Sequence, residues 1–147
     1  MTRRHPGRHL RLLDVGTSDP VWSEWSARAL AAAVRRGPVL VNPMVFAEVS
    51  VGFSRMEDLD DARPPDIFRR EPLPYVAAFL AGKAFLAYLR RGGSKTLPLP
   101  DFFIGAHAAV AHVALLTRDA RRFRTYFPTV RLSAPRAEPL VVAPLRP

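Results

Sequence analysis

The sequence predicts an α/β fold in which a central parallel sheet is flanked by helices. Three observations support this prediction: short uninterrupted apolar runs, helix-like segments between them, and proline or glycine at the boundaries. A continuous apolar run is typical of a strand that is buried on both faces of a parallel sheet. Alternation of such runs with helices indicates βαβ units.

The first half of the chain shows this alternation clearly. A helix is predicted over residues 20–36, where an Asp-Pro pair supplies the cap and the first helical position, and a Gly-Pro pair ends the helix. The apolar run 39–41 is predicted to be a buried strand. An Asn-Pro pair then opens a second helix, which is predicted to end near residue 53.

The second half continues the same pattern. Pairs of prolines and glycines separate its segments, and the helix after residue 100 is apolar nearly all round, which indicates burial. The predicted elements are a polar helix or loop at 57–61, a brief strand at 67–68, a helix at 75–91, a helix at 101–113, a strand at 114–116 and a last strand at 130–132.

The 147 residues fit one domain with two flanking segments. Residues 1–11 are rich in arginine and predict a basic flexible arm. Residues 12–135 contain all the predicted elements and form the domain. Residues 136–147 are rich in proline and are expected to be a poorly ordered tail.

The chain is strongly basic, with a formal charge of +9 from 22 Lys and Arg against 13 Asp and Glu. Nearly all of the excess is arginine, since Lys83 and Lys95 are the only lysines. Arginine binds phosphate in a bidentate manner, and a basic surface attracts polyanions such as RNA. A compositional bias toward Arg, Ala and Pro would produce the same charge, so the charge alone is weak support for RNA binding.

The composition also narrows the setting in which the protein works. The absence of cysteine excludes disulfides and cysteine–zinc sites, and it is compatible with a reducing cytoplasm. No apolar run approaches the roughly 20 residues that a membrane span needs. The N-terminus lacks the apolar segment of a secretory signal. We therefore expect a cytoplasmic protein without a membrane partner.

Three carboxylates have unusually apolar surroundings. Glu48 lies in an otherwise apolar helix, Asp101 lies between apolar stretches, and Asp119 follows an apolar strand. Taken singly, a helix cap or an ion pair explains each of them. Burial of a charge is costly unless it is paired or bound to a metal, so together they favour a shared cation. Oxygen ligands suit Mg²⁺ or Mn²⁺, which can activate water for in-line displacement at a phosphodiester.

The histidines do not form a metal site by their spacing. His107 and His112 are five residues apart and do not share a helix face as an i, i+4 pair would. We interpret them as core or rim residues and not as zinc ligands. The sequence also contains no P-loop, no dinucleotide-binding glycine fingerprint and no Ser–His–Asp order.

Three segments resemble the motifs of a known family, the VapC-type PIN domains. Residues 42–53, Asn-Pro-Met-Val-Phe-Ala-Glu-Val-Ser-Val-Gly-Phe, resemble the second motif of that family. Residues 99–108, Leu-Pro-Asp-Phe-Phe-Ile-Gly-Ala-His-Ala, resemble the third. Residues 115–119 followed by 121–128 resemble the fourth. Order and spacing agree over about residues 12–135.

The resemblance implies a PIN fold and an endoribonuclease activity that depends on Mg²⁺ or Mn²⁺. It also implies the toxin role in a type II toxin–antitoxin pair, with a small antitoxin protein that blocks the site, and a homodimer. Carried over motif by motif, Glu48, Asp101 and Asp119 become catalytic and metal-binding residues.

The sequence departs from the family at its start, where the family has a strand ending in Asp-Thr-Asn. The ungapped register places Arg8 at the first catalytic aspartate. In this register the first strand is damaged or missing, because residues 2–7 have no apolar face and contain a proline. The other register requires a deletion; it uses residues 9–13 as the strand and Asp14 as the missing metal ligand. We favour the ungapped register.

Two functions follow from these observations. The first is a metal-dependent endoribonuclease acting as a toxin, impaired by its altered N-terminus. The alternative is a non-catalytic, degenerate PIN domain that binds RNA or an antitoxin, which Arg8 in place of an aspartate would favour. A plain α/β scaffold without a nucleic-acid role is a third, less favoured reading.

Overall fold

The computed structural model describes the chain in four ranges: residues 11–13, 20–93, 99–117 and 120–133. Residues 1–10 of the predicted arm, the predicted tail of residues 136–147, and the carboxylates Asp14 and Asp119 lie outside these ranges. Arg11, the last residue of the predicted arm, lies instead in a strand of the sheet, because its backbone pairs with neighbouring strands. Within the described ranges, no helix has both the length and the apolar character that a membrane crossing requires.

The sheet is parallel, as the sequence predicts, and it has five strands in the described residues. Their order across the sheet is β3-β2-β1-β4-β5, so the strand that comes first in the sequence lies at the centre, with two later strands on each side. The strands are β1 (Arg11–Leu13), β2 (Val39–Val41), β3 (Phe68–Arg70), β4 (Ala114–Leu116) and β5 (Leu132–Ser133).

Six helices connect and cover the strands in the described residues. They are α1 (Pro20–Arg36), α2 (Pro43–Ser50), α3 (Met56–Ala62), α4 (Tyr75–Arg90), α5 (Leu99–Ala111) and α6 (Ala120–Arg124). The bounds of α1 are those predicted. The polar stretch 57–61, for which the sequence allows either a helix or a loop, belongs to the helix α3. Leu59 is the buried residue of this helix.

The structure contains a first strand, although the favoured register predicts that it is damaged or missing. β1 pairs in parallel with β2 on one side and β4 on the other, and Leu12, which is fully buried, lies opposite Leu40 and Leu115. The expectation from the ungapped register that this strand is missing is wrong. The physical reason is that Leu12, which is buried, and Leu13, which is partly buried, supply the apolar side chains that residues 2–7 lack. Pairing on both sides also satisfies the backbone groups of the strand.

The contact between α4 and α5 depends on small side chains of α4. Ala77, Ala81 and Ala84 form the buried stripe of α4 and allow α5 to pack closely against it. α5 contributes a nearly continuous buried segment from Phe102 to Ala108, in agreement with its predicted burial.

Gly105 is the position in α5 where the packing leaves no space for a side chain. A Cβ atom at this position would overlap the ring of Phe127 and lie 3.1 Å from Cδ1 of Phe123. We expect Gly105→Ala to lower the free energy of unfolding by about 1–3 kcal/mol through overpacking, although alanine is intrinsically about 1 kcal/mol better than glycine within a helix. Urea denaturation measures this change.

Gly82 in α4 is the matched control, because it is exposed and a Cβ there would meet no atom within 4 Å. We expect Gly82→Ala to raise stability by about 0.5–1 kcal/mol. A Gly105→Ala variant as stable as the wild type would contradict this account of the core.

Candidate functional site

The order of the strands defines where a ligand site is expected. The chain winds in one direction from β1 to β2 and β3, and then crosses to the other side of β1 to form β4 and β5. Between β1 and β4 the connections therefore leave the sheet in opposite directions. In parallel sheets, the crevice beyond the carboxyl ends of the strands at such a point is where ligands bind.

Several elements bring polar side chains to this carboxyl edge. Asn42 directly follows β2 and caps α2, since its side chain accepts a hydrogen bond from the backbone nitrogen of Val45 at 2.9 Å. Thr117 directly follows β4. α5 leads back into β4 through two residues, so its first turn, with Asp101, lies toward the same edge.

The polar residues at this edge are buried to an unusual degree. In the described part of the chain, the buried polar or charged residues are Asn42, Asp101, His107 and Thr117, with exposures of 0%, 6%, 3% and 1%. Buried polar groups are costly unless they are hydrogen-bonded or neutralised. Their concentration near one end of the sheet marks this end as the candidate site.

Glu48 adds a second carboxylate to the same region. It lies in the last turn of α2, the helix that starts from the carboxyl end of β2, and its Oε2 atom is buried although the residue as a whole is only partly so. Both Glu48 and Asp101 also interact with other groups of the protein. α2 and α5 pack against each other, and each carries one of the two carboxylates.

A hydrogen bond between Asn42 and His107 joins α2 to α5. Because Oδ1 of Asn42 is the acceptor for Val45, its Nδ2 atom faces Nδ1 of His107, at 3.2 Å. Nδ1 must therefore accept, and the proton of the neutral ring lies on Nε2. Burial lowers the pKa of His107 below its ordinary value, against a smaller opposite effect of Glu71.

Two of the four predicted site residues are described, and two are not. Glu48 and Asp101 lie on the helices just mentioned. Asp14 is the next residue of the chain after β1, and Asp119 is two residues after Thr117; both fall outside the described residues. Among the residues that are described, no group of three His, Asp or Glu is placed so as to hold a metal ion.

The other buried polar residues of this region, Asn42, His107 and Thr117, carry no local signal of a shared position in the sequence. Asn42 was interpreted only as a helix cap, and Thr117 was not singled out. His107 was interpreted as a core or rim residue, and its burial agrees with that reading. Its pairing with Asn42 links positions 65 residues apart, so no local pattern signals it.

The strand order and the buried Asp101 are those of a parallel α/β domain, in which the switch point of the sheet is the expected position of a ligand. The family model of the PIN domain matches residues 12–127, most of the chain, and the chain belongs to the PIN domain family. The match begins within β1, as described above.

Solved structures with a similar fold include three complexes. A chain of VapBC-1 from nontypeable Haemophilus influenzae has a TM-score of 0.64 and 15% identity, with 85% of this chain and 97% of that chain covered. A chain of VapBC2 from Rickettsia felis bound to promoter DNA has a TM-score of 0.61 and 14% identity, with 85% of this chain and 98% of that chain covered. A chain of DNA-bound VapBC from Salmonella typhimurium has a TM-score of 0.61 and 17% identity, with 85% of this chain and 98% of that chain covered. Because the sequence identities are this low, the likeness to these structures concerns the fold alone. The comparison with curated proteins gave no match.

The lowered pKa of His107 predicts a dependence of stability on pH. Because the folded protein holds the ring neutral, the unfolded chain binds more protons near and below the ordinary pKa of 6.5. Stability is therefore retained above that pH and lost as the pH falls through it toward the lower pKa of the folded state. We expect His107→Gln to reduce the slope of the free energy of unfolding between neutral and mildly acidic pH.

Chemical denaturation at a series of pH values measures this slope. His112→Gln is the matched control, because His112 is exposed, and this variant should keep the wild-type slope. An unchanged slope in His107→Gln would show that His107 does not contribute to acid sensitivity.

Proposed function

We propose that this protein is a metal-dependent endoribonuclease and the toxin of a toxin–antitoxin pair. The observation that carries the proposal is the presence of two carboxylates, Glu48 and Asp101, on packed helices near the carboxyl edge of a PIN domain sheet. The VapC-type resemblance of the motifs supports the substrate class, and the solved complexes with a similar fold support the toxin role.

The donor set fits a divalent metal of the Mg²⁺ or Mn²⁺ type. Asp101 is almost fully buried, and Glu48 has a buried carboxylate oxygen. A cation offsets the cost of burying such groups, and hard carboxylate oxygens are the ligands that these ions prefer. Asp14 and Asp119, which follow β1 and β4 in the chain, are proposed to complete the set. The bound ion would activate water and neutralise charge on the phosphodiester.

The residues around the carboxylates have supporting roles in this proposal. The first turn of α5 carries Asp101, and the positive end of the helix dipole stabilises its carboxylate there. The hydrogen bond from Asn42 to His107 fixes the start of α2 against α5 and hence the relative placement of Glu48 and Asp101. The excess of arginine raises the local concentration of RNA by electrostatic attraction.

The metal site is tested by Asp101→Asn. We expect Mn²⁺ affinity to fall at least tenfold, about 1.4 kcal/mol, and chelator-sensitive RNA cleavage to be lost, because a neutral amide replaces an anionic ligand. Stability without metal should change little. Asp61→Asn, a change of the same kind at an exposed site in α3, is the control. Nuclease activity that persists in Asp101→Asn or in excess chelator would contradict the mechanism, and a wild type without cleavage would favour the non-catalytic binding module.

Asp14→Asn separates the two registers of the N-terminus. Because β1 ends at Leu13, we now expect Asp14 to act as a metal ligand and its substitution to weaken Mn²⁺ binding by about tenfold as well, about 1.4 kcal/mol. An unchanged affinity, measured by the same titration, would instead favour the ungapped register, in which Arg8 stands at the ligand position.

The partners of the proposed toxin are an antitoxin protein and a second copy of the chain. α4 supports a protein contact, because one side of it exposes large apolar side chains, which usually mark interaction sites when they are contiguous. This surface, the α4 face, consists of Tyr75, Val76, Phe79, Leu80, Leu86 and Leu89. We propose that it contributes to the homodimer.

Phe79→Asp tests the role of the α4 face. Phe79 is 68% exposed, so a charge there should leave the fold intact while opposing burial in an interface. We expect the variant to sediment as a monomer under conditions in which the wild type is a dimer, with Mn²⁺ affinity unchanged. Val51→Asp makes the same kind of change at another exposed site and should remain dimeric. A dimeric Phe79→Asp variant would exclude the α4 face from the dimer.

A further inference from the structure

The amino edge of the sheet, opposite to the proposed metal site, carries a cluster of three arginines. Arg11 begins β1 and lies opposite Ala114 of β4. Arg131 directly precedes β5, and its carbonyl accepts a hydrogen bond from the backbone nitrogen of Leu115 at 2.8 Å, which places Arg131 opposite Ala114 on the other side. Arg36 is the last residue of α1, at the same edge.

The sheet register directs two of these side chains to the same face. Residues opposite each other on parallel strands project to the same side, so Arg11 and Arg131 flank the small side chain of Ala114. Their Cα atoms are about 10 Å apart, two strand spacings. Two long guanidinium side chains at this separation, with only a methyl group between them, can both reach one small ligand.

The guanidinium of Arg11 is partly desolvated without compensation from the described residues. Its Nη1 atom is buried and donates no hydrogen bond. Burial, and then the positive charges of Arg36 and Arg131, lower the pKa of Arg11 below its ordinary value. A buried charged donor of this kind calls for an acceptor.

The cluster is not neutralised by acidic residues in the described part of the chain. The ion pairs found there involve Arg55, Arg69 and Arg70, and none of them includes an arginine of the cluster. Arg36 and Arg131 are exposed, so the cluster opens to solvent on one side. Three positive charges that face one another repel, and a bound anion would remove this repulsion.

We propose that Arg11, Arg36 and Arg131 form an oxyanion site that binds one phosphate group, either free or within a nucleic-acid backbone. Phosphate is favoured over a carboxylate because its tetrahedral oxygens can accept from several guanidinium groups at once, and because arginine forms bidentate pairs with phosphate. The site is separate from the proposed metal site, because it lies at the opposite edge of the sheet, and it does not rest on the nuclease function.

The test is a titration of the full chain with inorganic phosphate, in the presence of a chelator and at constant ionic strength set with chloride. We expect the wild type to bind phosphate, and Arg36→Gln and Arg131→Gln each to weaken its affinity by about tenfold. Both residues are exposed, so both variants should fold, which circular dichroism and an unchanged Mn²⁺ affinity check independently.

Arg35→Gln is the matched control, since it removes the same charge from the adjacent exposed position of α1. It should change phosphate affinity by no more than about twofold, because exposed charges outside the site are screened. Absence of phosphate binding by the wild type would overturn the proposal. So would equal losses in Arg35→Gln and Arg131→Gln, or full binding in both Arg36→Gln and Arg131→Gln.

A second titration with a short single-stranded DNA identifies the source of the phosphate. If Arg131→Gln weakens DNA binding by the same factor as phosphate binding, the site takes a phosphodiester of a nucleic acid. If only the affinity for inorganic phosphate responds, the site takes the free anion. Either result supports the oxyanion site, and loss of the metal-dependent activity in other variants would not affect it.

Discussion

The structure depends on the pairing of one very short strand at the centre of the sheet. β1 has three residues, and hydrogen-bonded neighbours hold it on both sides. Its middle residue, Leu12, is fully buried. Among the described strands β1 alone lies between the β2–β3 half of the sheet and the β4–β5 half, so its pairing holds the two halves in one sheet. The switch point between β1 and β4 therefore depends on this pairing.

The direction of the chain gives the two edges of the sheet opposite electrostatic character. In parallel βα units, helices start at the carboxyl edge of the sheet and end at the amino edge. The positive ends of their dipoles therefore lie near Asp101, and the negative end of α1 lies near Arg36. Asp101 and Arg36 are thus each found at the helix end where the backbone dipole stabilises their charge.

The packing of α4 and α5 determines how the site is supported. Alanines on α4 bring α5 close, and Gly105 lets Phe127 lie directly against α5. α5 is consequently held along its length, and it presents both Asp101 and His107 from one rigid element. The hydrogen bond that Asn42 donates to His107 then fixes α2, which carries Glu48. Small residues in the core thereby determine the placement of charged residues at the edge.

The sequence by itself determined the alternation of helices and strands, the bounds of α1, and two carboxylates in apolar surroundings, Glu48 and Asp101. These features follow from local chemistry, namely caps, prolines and the apolar runs of buried strands. Tertiary structure decided the position of β1, where two registers were compatible with the same residues, and the contact between Asn42 and His107. Pairing with distant strands and packing of distant helices settle such features, because their free energy comes from contacts between residues far apart in the chain.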